Sequence, residues 1–161
     1  MEIYILRHGI AEPRRAGRAD SERKLTQEGR EKLRLVLARA RGAGVAPSLI
    51  LTSPLIRAVQ TAEVAAQALG YTGEIERDEA LVPSASCQQV WLLLRDRGDE
   101  PAVLVSGHEP LLGETASYLV GAPRVCFDLK KGALVRIDVE EFGAEPRGVL
   151  QWLLTPRLAA P

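Results

Sequence analysis

Three short stretches of this 161-residue chain carry residue types that could do chemistry together: Arg7-His8-Gly9, Ser53-Pro54 with Arg57, and Gly107-His108. Each follows a run that reads as a strand, namely Ile3 to Leu6, Ser48 to Thr52 and Ala102 to Ser106. The chain has 2 histidines, and both stand beside a glycine at such a strand exit. If these strands are neighbours, the two imidazoles meet at the carboxyl edge of the sheet, where open α/β proteins bind ligands. A neutral imidazole is a nucleophile or an acid/base near pH 7, and an arginine is a permanent cation whose fork fits oxyanions. Ser53 as N-cap and Pro54 at the first helical position would open a helix with Arg57 in its first turn. Guanidinium and helix N-terminus would then face one anion. Two arginines and two histidines converging in this way suit a phosphoryl group.

The elements needed to position these groups are legible in order. Ile10 to Lys24 is polar, arginine-rich and without a clean period, which predicts a long loop of the kind that often carries function. Thr26 is a plausible N-cap for a helix with Leu33, Val36, Leu37 and Ala40 along one face, ending near Gly42 and Gly44. The helix after Ser53-Pro54 runs to Gly70, Glu74 to Arg77 suggests a short strand, and Ser86 to Asp96 a helix with Val90, Leu93 and Leu94 inside. Pro110 opens another helix to about Val120. This β-α alternation predicts an α/β chain: a single three-layer α/β/α domain over 1–161 with a mainly parallel sheet. Ala133 to Val139 and Val149 to Leu154 add an antiparallel hairpin at one edge, and Arg157 to Pro161 reads as a frayed tail.

Arg7-His8-Gly9, Thr52-Ser53-Pro54-x-x-Arg57-Ala58-x-x-Thr61-Ala62 and Gly107-His108 together resemble the histidine phosphatase superfamily, the phosphoglycerate-mutase-like enzymes. The short length and Leu25-Thr26-x-x-Gly29 resemble its compact SixA-type phosphohistidine phosphatase branch. The resemblance spans residues 1 to about 155 in order and spacing. It implies that His8 takes the phosphoryl group, that Arg7 and Arg57 hold its oxygens, and that His108 is the second imidazole of the pocket. Arg23, at the pocket edge, and Gly9, which lets the chain leave the strand sharply, are assigned as substrate-binding positions.

Many relatives carry a glutamate after the third strand that protonates an alkoxide leaving group. Here that region reads Asp78-Glu79-Ala80-Leu81, with alanine where the acid is expected and Glu79 one step away. The candidates for the general acid are Glu79, Glu12, Asp20 or none. Without an acid, a phosphoramidate loses less than an oxygen ester, because imidazole leaves more readily than an alkoxide. The expected function is therefore a metal-independent phosphatase acting through a covalent phosphohistidine, on phosphohistidine of a partner protein. The alternatives are a small-molecule phosphomonoesterase of sugar-phosphate type, or a phosphate- or phosphoprotein-binding module without turnover.

Composition narrows the field from the other side. With 21 basic and 21 acidic residues the formal charge cancels, so no nucleic-acid or membrane partner is implied. Cys87 and Cys126 form no disulfide framework, and with so few histidines no metal site and no cofactor are expected. No apolar run approaches a membrane span and no secretory leader is expected, so a cytoplasmic location is the default. Glu109 reads as a helix-start carboxylate, Ser53 and Thr61 as a cap and a helix-face residue, and Trp91 and Trp152 as core.

Overall fold

A computed structural model describes residues 1–160. One six-stranded sheet runs in the order β3-β2-β4-β1-β5-β6. Its strands are β1 (Glu2–Arg7), β2 (Leu49–Thr52), β3 (Ile75–Arg77), β4 (Ala102–Gly107), β5 (Leu134–Val139) and β6 (Gly148–Leu154). The four strands from β3 to β1 are parallel, whereas β5 pairs antiparallel with both β1 and β6. This is the expected α/β fold with its edge hairpin.

Strand β1 is buried on both faces because its side chains alternate between two cores. Ile3 and Ile5 join Leu51, Val103, Trp91 and Leu112 on the side of α3 (Cys87–Arg95) and α4 (Leu111–Leu119). Tyr4 and Leu6 join Leu33, Leu37, Ile50 and Ala62 on the side of α1 (Gln27–Gly42) and α2 (Ile56–Leu69). Such two-sided burial is what a continuous apolar run in a parallel sheet requires. Helix α1 starts as predicted, with the Thr26 hydroxyl accepting the Gly29 N–H, and it buries Leu33, Val36, Leu37 and Ala40. Helix α3 opens on a capping box formed by Ser86 and Gln89.

Two expectations at element ends need correction. Helix α2 begins at Ile56 with Leu55 in the N-cap position, not at Ser53-Pro54. Ser53 still behaves as sheet, since its N–H donates to the Ser106 carbonyl at 3.0 Å, and its hydroxyl is engaged elsewhere. The end of the chain is also more ordered than a frayed tail. Thr155 caps a short helix α5 (Pro156–Ala159), and Ala159 is buried in the α1–α2 core; Pro161 lies outside the described residues.

Candidate active site

The parallel pairing that aligns Arg7 with Gly107 and Thr52 with Ser106 places three strand ends side by side. His8 leaves β1 with its N–H still donating to the Gly107 carbonyl at 3.0 Å, so the ladder continues one residue beyond the strand. His8, Arg57 and His108 are all buried, and the two imidazole centroids lie 5.1 Å apart. Arg7, His8, Arg57 and His108 line one pocket of about 520 Å³, together with Arg23. The structure thus brings Arg7, His8, Arg57, His108 and Arg23 to one place.

The His8 ring is fixed from both sides. Its Nδ1 lies 2.7 Å from the Gly9 carbonyl, a contact that requires the proton on Nδ1 and leaves a lone pair on Nε2. Arg57 donates its Nε–H toward that Nε2 at 3.4 Å. Burial, opposed by the Gly9 carbonyl and reinforced by Arg57 and Arg7, lowers the His8 pKa to about 4. His108 is lowered to about 3 by burial and by the neighbouring His8 and Arg57. Both rings are therefore neutral at pH 7.

Gly9 lies behind the imidazole, where its N–H donates to the Thr61 hydroxyl at 3.2 Å. A Cβ there would sit 2.7 Å from a Leu33 methyl and 3.2 Å from the Gly29 carbonyl oxygen, so glycine lets the loop pass close over α1. Thr61, on the buried face of α2, also donates to the Arg57 carbonyl. Helix α2 thereby holds both the arginine and the turn after the histidine.

Ser53 has a role that its sequence position does not announce. Its Oγ lies 2.9 Å from His108 Nε2, which sets the orientation of the second imidazole and leaves Nδ1 as a buried atom without a partner. Arg7 donates to the Leu129 carbonyl, while its Nε is likewise unpartnered. Unpaired buried polar atoms are costly, and these two sit beside one pocket.

The loop from Ile10 to Lys24 folds back over the site and delivers Asp20. The Asp20 carboxylate pairs with Arg57 at 2.9 Å, with Arg23 at 2.8 Å and with Arg14 at 3.1 Å. Arg23 first and then Arg57 pull its pKa down to about 2 against the effect of burial. Glu12 pairs with Arg18 at 3.0 Å, and Glu79 is exposed on a 3-10 turn away from the pocket. None of the three acid candidates is placed as a protonated donor at the pocket. Besides Asp20, the carboxyl that lines it is Glu109, directly after His108, raised to about 7 by burial against the lowering effect of Arg7. The sequence signal for it was adjacency to His108; the desolvation that changes its chemistry comes from tertiary packing.

Residues 3–82 match the family model for the histidine phosphatase superfamily (branch 1). The chain is 36% identical, over 100% of both sequences, to an uncharacterised protein of Picosynechococcus sp.. It is 30% identical to the phosphohistidine phosphatase SixA of Escherichia coli, covering 97% of this chain and 94% of that one. The structure superposes with a TM-score of 0.86 on a protein histidine phosphatase SixA complexed with tungstate, at 29% identity and 98% coverage of each chain.

Proposed function

Because the chain belongs to the histidine phosphatase superfamily, in its SixA-type branch, we propose that it is a metal-independent phosphohistidine phosphatase that uses His8 as the nucleophile. The observation that carries this reading is the fixed tautomer of His8, with Nδ1 committed to the Gly9 carbonyl and the lone pair on Nε2, which meets only the long 3.4 Å contact from Arg57 Nε. Nucleophilic attack needs that lone pair, and the lowered pKa keeps it available at neutral pH.

In the first step His8 Nε2 bonds to phosphorus as the bond to the substrate's imidazole nitrogen breaks. Arg7 and Arg57 hold the phosphoryl oxygens, whose charge they balance from ground state to transition state. Water then attacks phosphorus, and the electron pair of the P–N bond returns to Nε2. His108, neutral and held by Ser53, offers its unpartnered Nδ1 as a hydrogen-bonding group at the same pocket. Arg14, Arg15, Arg18, Arg23 and Lys131 around the mouth suit an anionic substrate surface, as a phosphorylated protein would present.

The test is a side-by-side assay of a phosphohistidine peptide and a panel of sugar phosphates, with acid-labile, base-stable label trapped on the enzyme. Label on wild type that vanishes in His8→Ala, with higher kcat/KM on the peptide, is the expected result. Label retained in His8→Ala refutes the assignment.

A further inference from the structure

We infer that a groove beside the phosphoryl pocket seats an acidic, leucine-bearing helical segment of the protein that presents the phosphohistidine, about one or two turns from that residue. The inference rests on the reading of the chain as a protein phosphohistidine phosphatase. The groove, of about 800 Å³, lies between α1, α5 and the segment that leads into β5. Arg7 and Lys131 line both it and the phosphoryl pocket, so the two cavities share a wall. A protein that delivers a phosphoryl group to His8 brings the residues flanking its histidine to this edge.

Ile10, Leu35 and Pro156 give the groove an apolar wall. Lys32, Lys130, Lys131 and Arg157 border it, and such side chains lay their methylenes on apolar surface while the charge stays in water. Leu35 is 40% exposed, because α1 turns Leu33, Val36, Leu37 and Ala40 to the core instead. An exposed leucine alone means little. On the wall of a groove that adjoins the phosphoryl pocket, it is an anchor for an apolar side chain. Charge then selects the partner. Five cationic residues line the groove and no Asp or Glu does, in a chain with 21 residues of each sign. Glu28 and Asp128 meet Lys32 and Lys130 only as exposed pairs, which are weak. Lys131 and Arg157 have no ion-pair partner among the described residues. An acidic segment complements this edge, and a basic one is repelled by it.

A helix suits the two adjoining cavities. Its side chains at i and i+4 stand about 5–6 Å apart on one face, so a phosphohistidine and a leucine one turn away enter neighbouring cavities together. A flat bilayer surface enters neither a concave groove nor the pocket in which His8 is buried. Contacts in the groove are made away from the reacting atoms. They therefore raise kcat/KM for the protein substrate and leave a small phosphoramidate, which cannot reach them, unaffected.

Two helical peptides of about twenty residues test this, each with one histidine phosphorylated by phosphoramidate and leucines at i+4 and i+7 from it. Glutamates flank these residues in one peptide and lysines in the other. Wild type, Leu35→Asp and Arg157→Glu are compared on both peptides and on phosphoramidate itself, with folding followed by thermal melting. Leu35→Ser serves if the aspartate folds poorly. Wild type is expected to prefer the acidic peptide by about tenfold or more in kcat/KM. On that peptide Leu35→Asp loses about tenfold, through KM, while phosphoramidate turnover stays within about twofold. Arg157→Glu loses about three- to tenfold, and its loss shrinks as salt rises. Affinity for the unphosphorylated acidic peptide, read by fluorescence anisotropy, falls by the same factors and involves no chemistry. Equal turnover of both peptides by wild type, or variants that lose phosphoramidate activity as fully as peptide activity, overturn the proposal. So does binding to phosphatidylglycerol vesicles that Leu35→Asp abolishes while peptide affinity is unchanged. Label from phosphoramidate on His8 in those samples places the failure in docking. No label, with the acidic peptide bound and Leu35→Asp weakening it, supports docking and places the failure in the phosphatase reading.

Discussion

Arg57 and Asp20 are held together twice, one guanidinium nitrogen donating to the Asp20 carboxylate at 2.9 Å and the other to its backbone carbonyl at 2.7 Å. The loop thus places an internal carboxylate on the arginine that faces His8, and an incoming phosphoryl group competes with it. Asp20→Asn keeps the size and the backbone contact but removes the charge. Inorganic phosphate is expected to inhibit this variant more tightly, by up to about fivefold, the reach of a partly exposed ion pair. Weaker phosphate binding would mean that Asp20 serves to organise Arg57 and not to compete for it.

Arg57→Ala should lower kcat/KM far more than Arg23→Ala, and Arg57→Lys should rescue little. Arg57 is buried in the first turn of α2 and directs Nε at His8, whereas Arg23 reaches the pocket from the loop, held by Asp20 and the Glu12 carbonyl. Losing a contact present in the transition state costs on the order of 10² to 10³. In the proposed mechanism Arg23 meets only the outer part of the substrate, so its loss should appear in KM. Steady-state kinetics on the three variants, with circular dichroism as a check, decides the matter; similar small losses would remove Arg57 from the phosphoryl pocket.

Acid should both inactivate and destabilise the protein. His8 must be neutral to attack, so the phosphoramidate-driven labelling rate should fall as pH drops through about 4. For stability, the folded pKa values of His8 and His108 lie below the unfolded value of 6.5. Below that value the unfolded chain binds protons that the folded one refuses, so stability is full above pH 6.5 and declines toward pH 4. Each histidine removes up to about 1.4 kcal/mol per pH unit in that window. Urea midpoints for wild type and His108→Asn should converge as pH falls; parallel curves would show that His108 is not desolvated.

Turnover should survive EDTA. In the proposed mechanism Arg7 and Arg57, which line the pocket, deliver the positive charge that a divalent ion would otherwise supply to the phosphoryl oxygens. Activity lost to the chelator and restored by a single divalent cation would demand a different mechanism.

What could be read from the sequence was the part governed by local periodicity. Apolar runs ending in Arg7-His8 and Gly107-His108, with helices between, dictate parallel strands whose ends align, and the register Arg7 to Gly107 realises that alignment. Ser53, Asp20 and Glu109 lay beyond such reasoning. Ser53 looked like a cap because Ser-Pro favours a helix start, yet continued pairing with Ser106 delays the helix and turns the hydroxyl to His108. Asp20 arrives through the return path of an unperiodic loop, and the Glu109 carboxyl acquires its chemistry from the packing of α4 against it.

The placement of β1 has a consequence for how the protein comes into being. Ile3 is paired to Val103 on one edge and to Ile137 on the other, so the strand that carries His8 is synthesised well before either of its partners and is among the last to be completed. Until residues of β4 and β5 emerge, an apolar ribbon with two open edges must wait on the ribosome, the state most exposed to aggregation. Long-range pairing of this kind also makes folding slow relative to helical proteins. Nascent chains arrested before β5 should therefore remain protease-sensitive at β1 even with α1 and α2 formed, and the phosphoryl pocket should close only in the final stage of assembly.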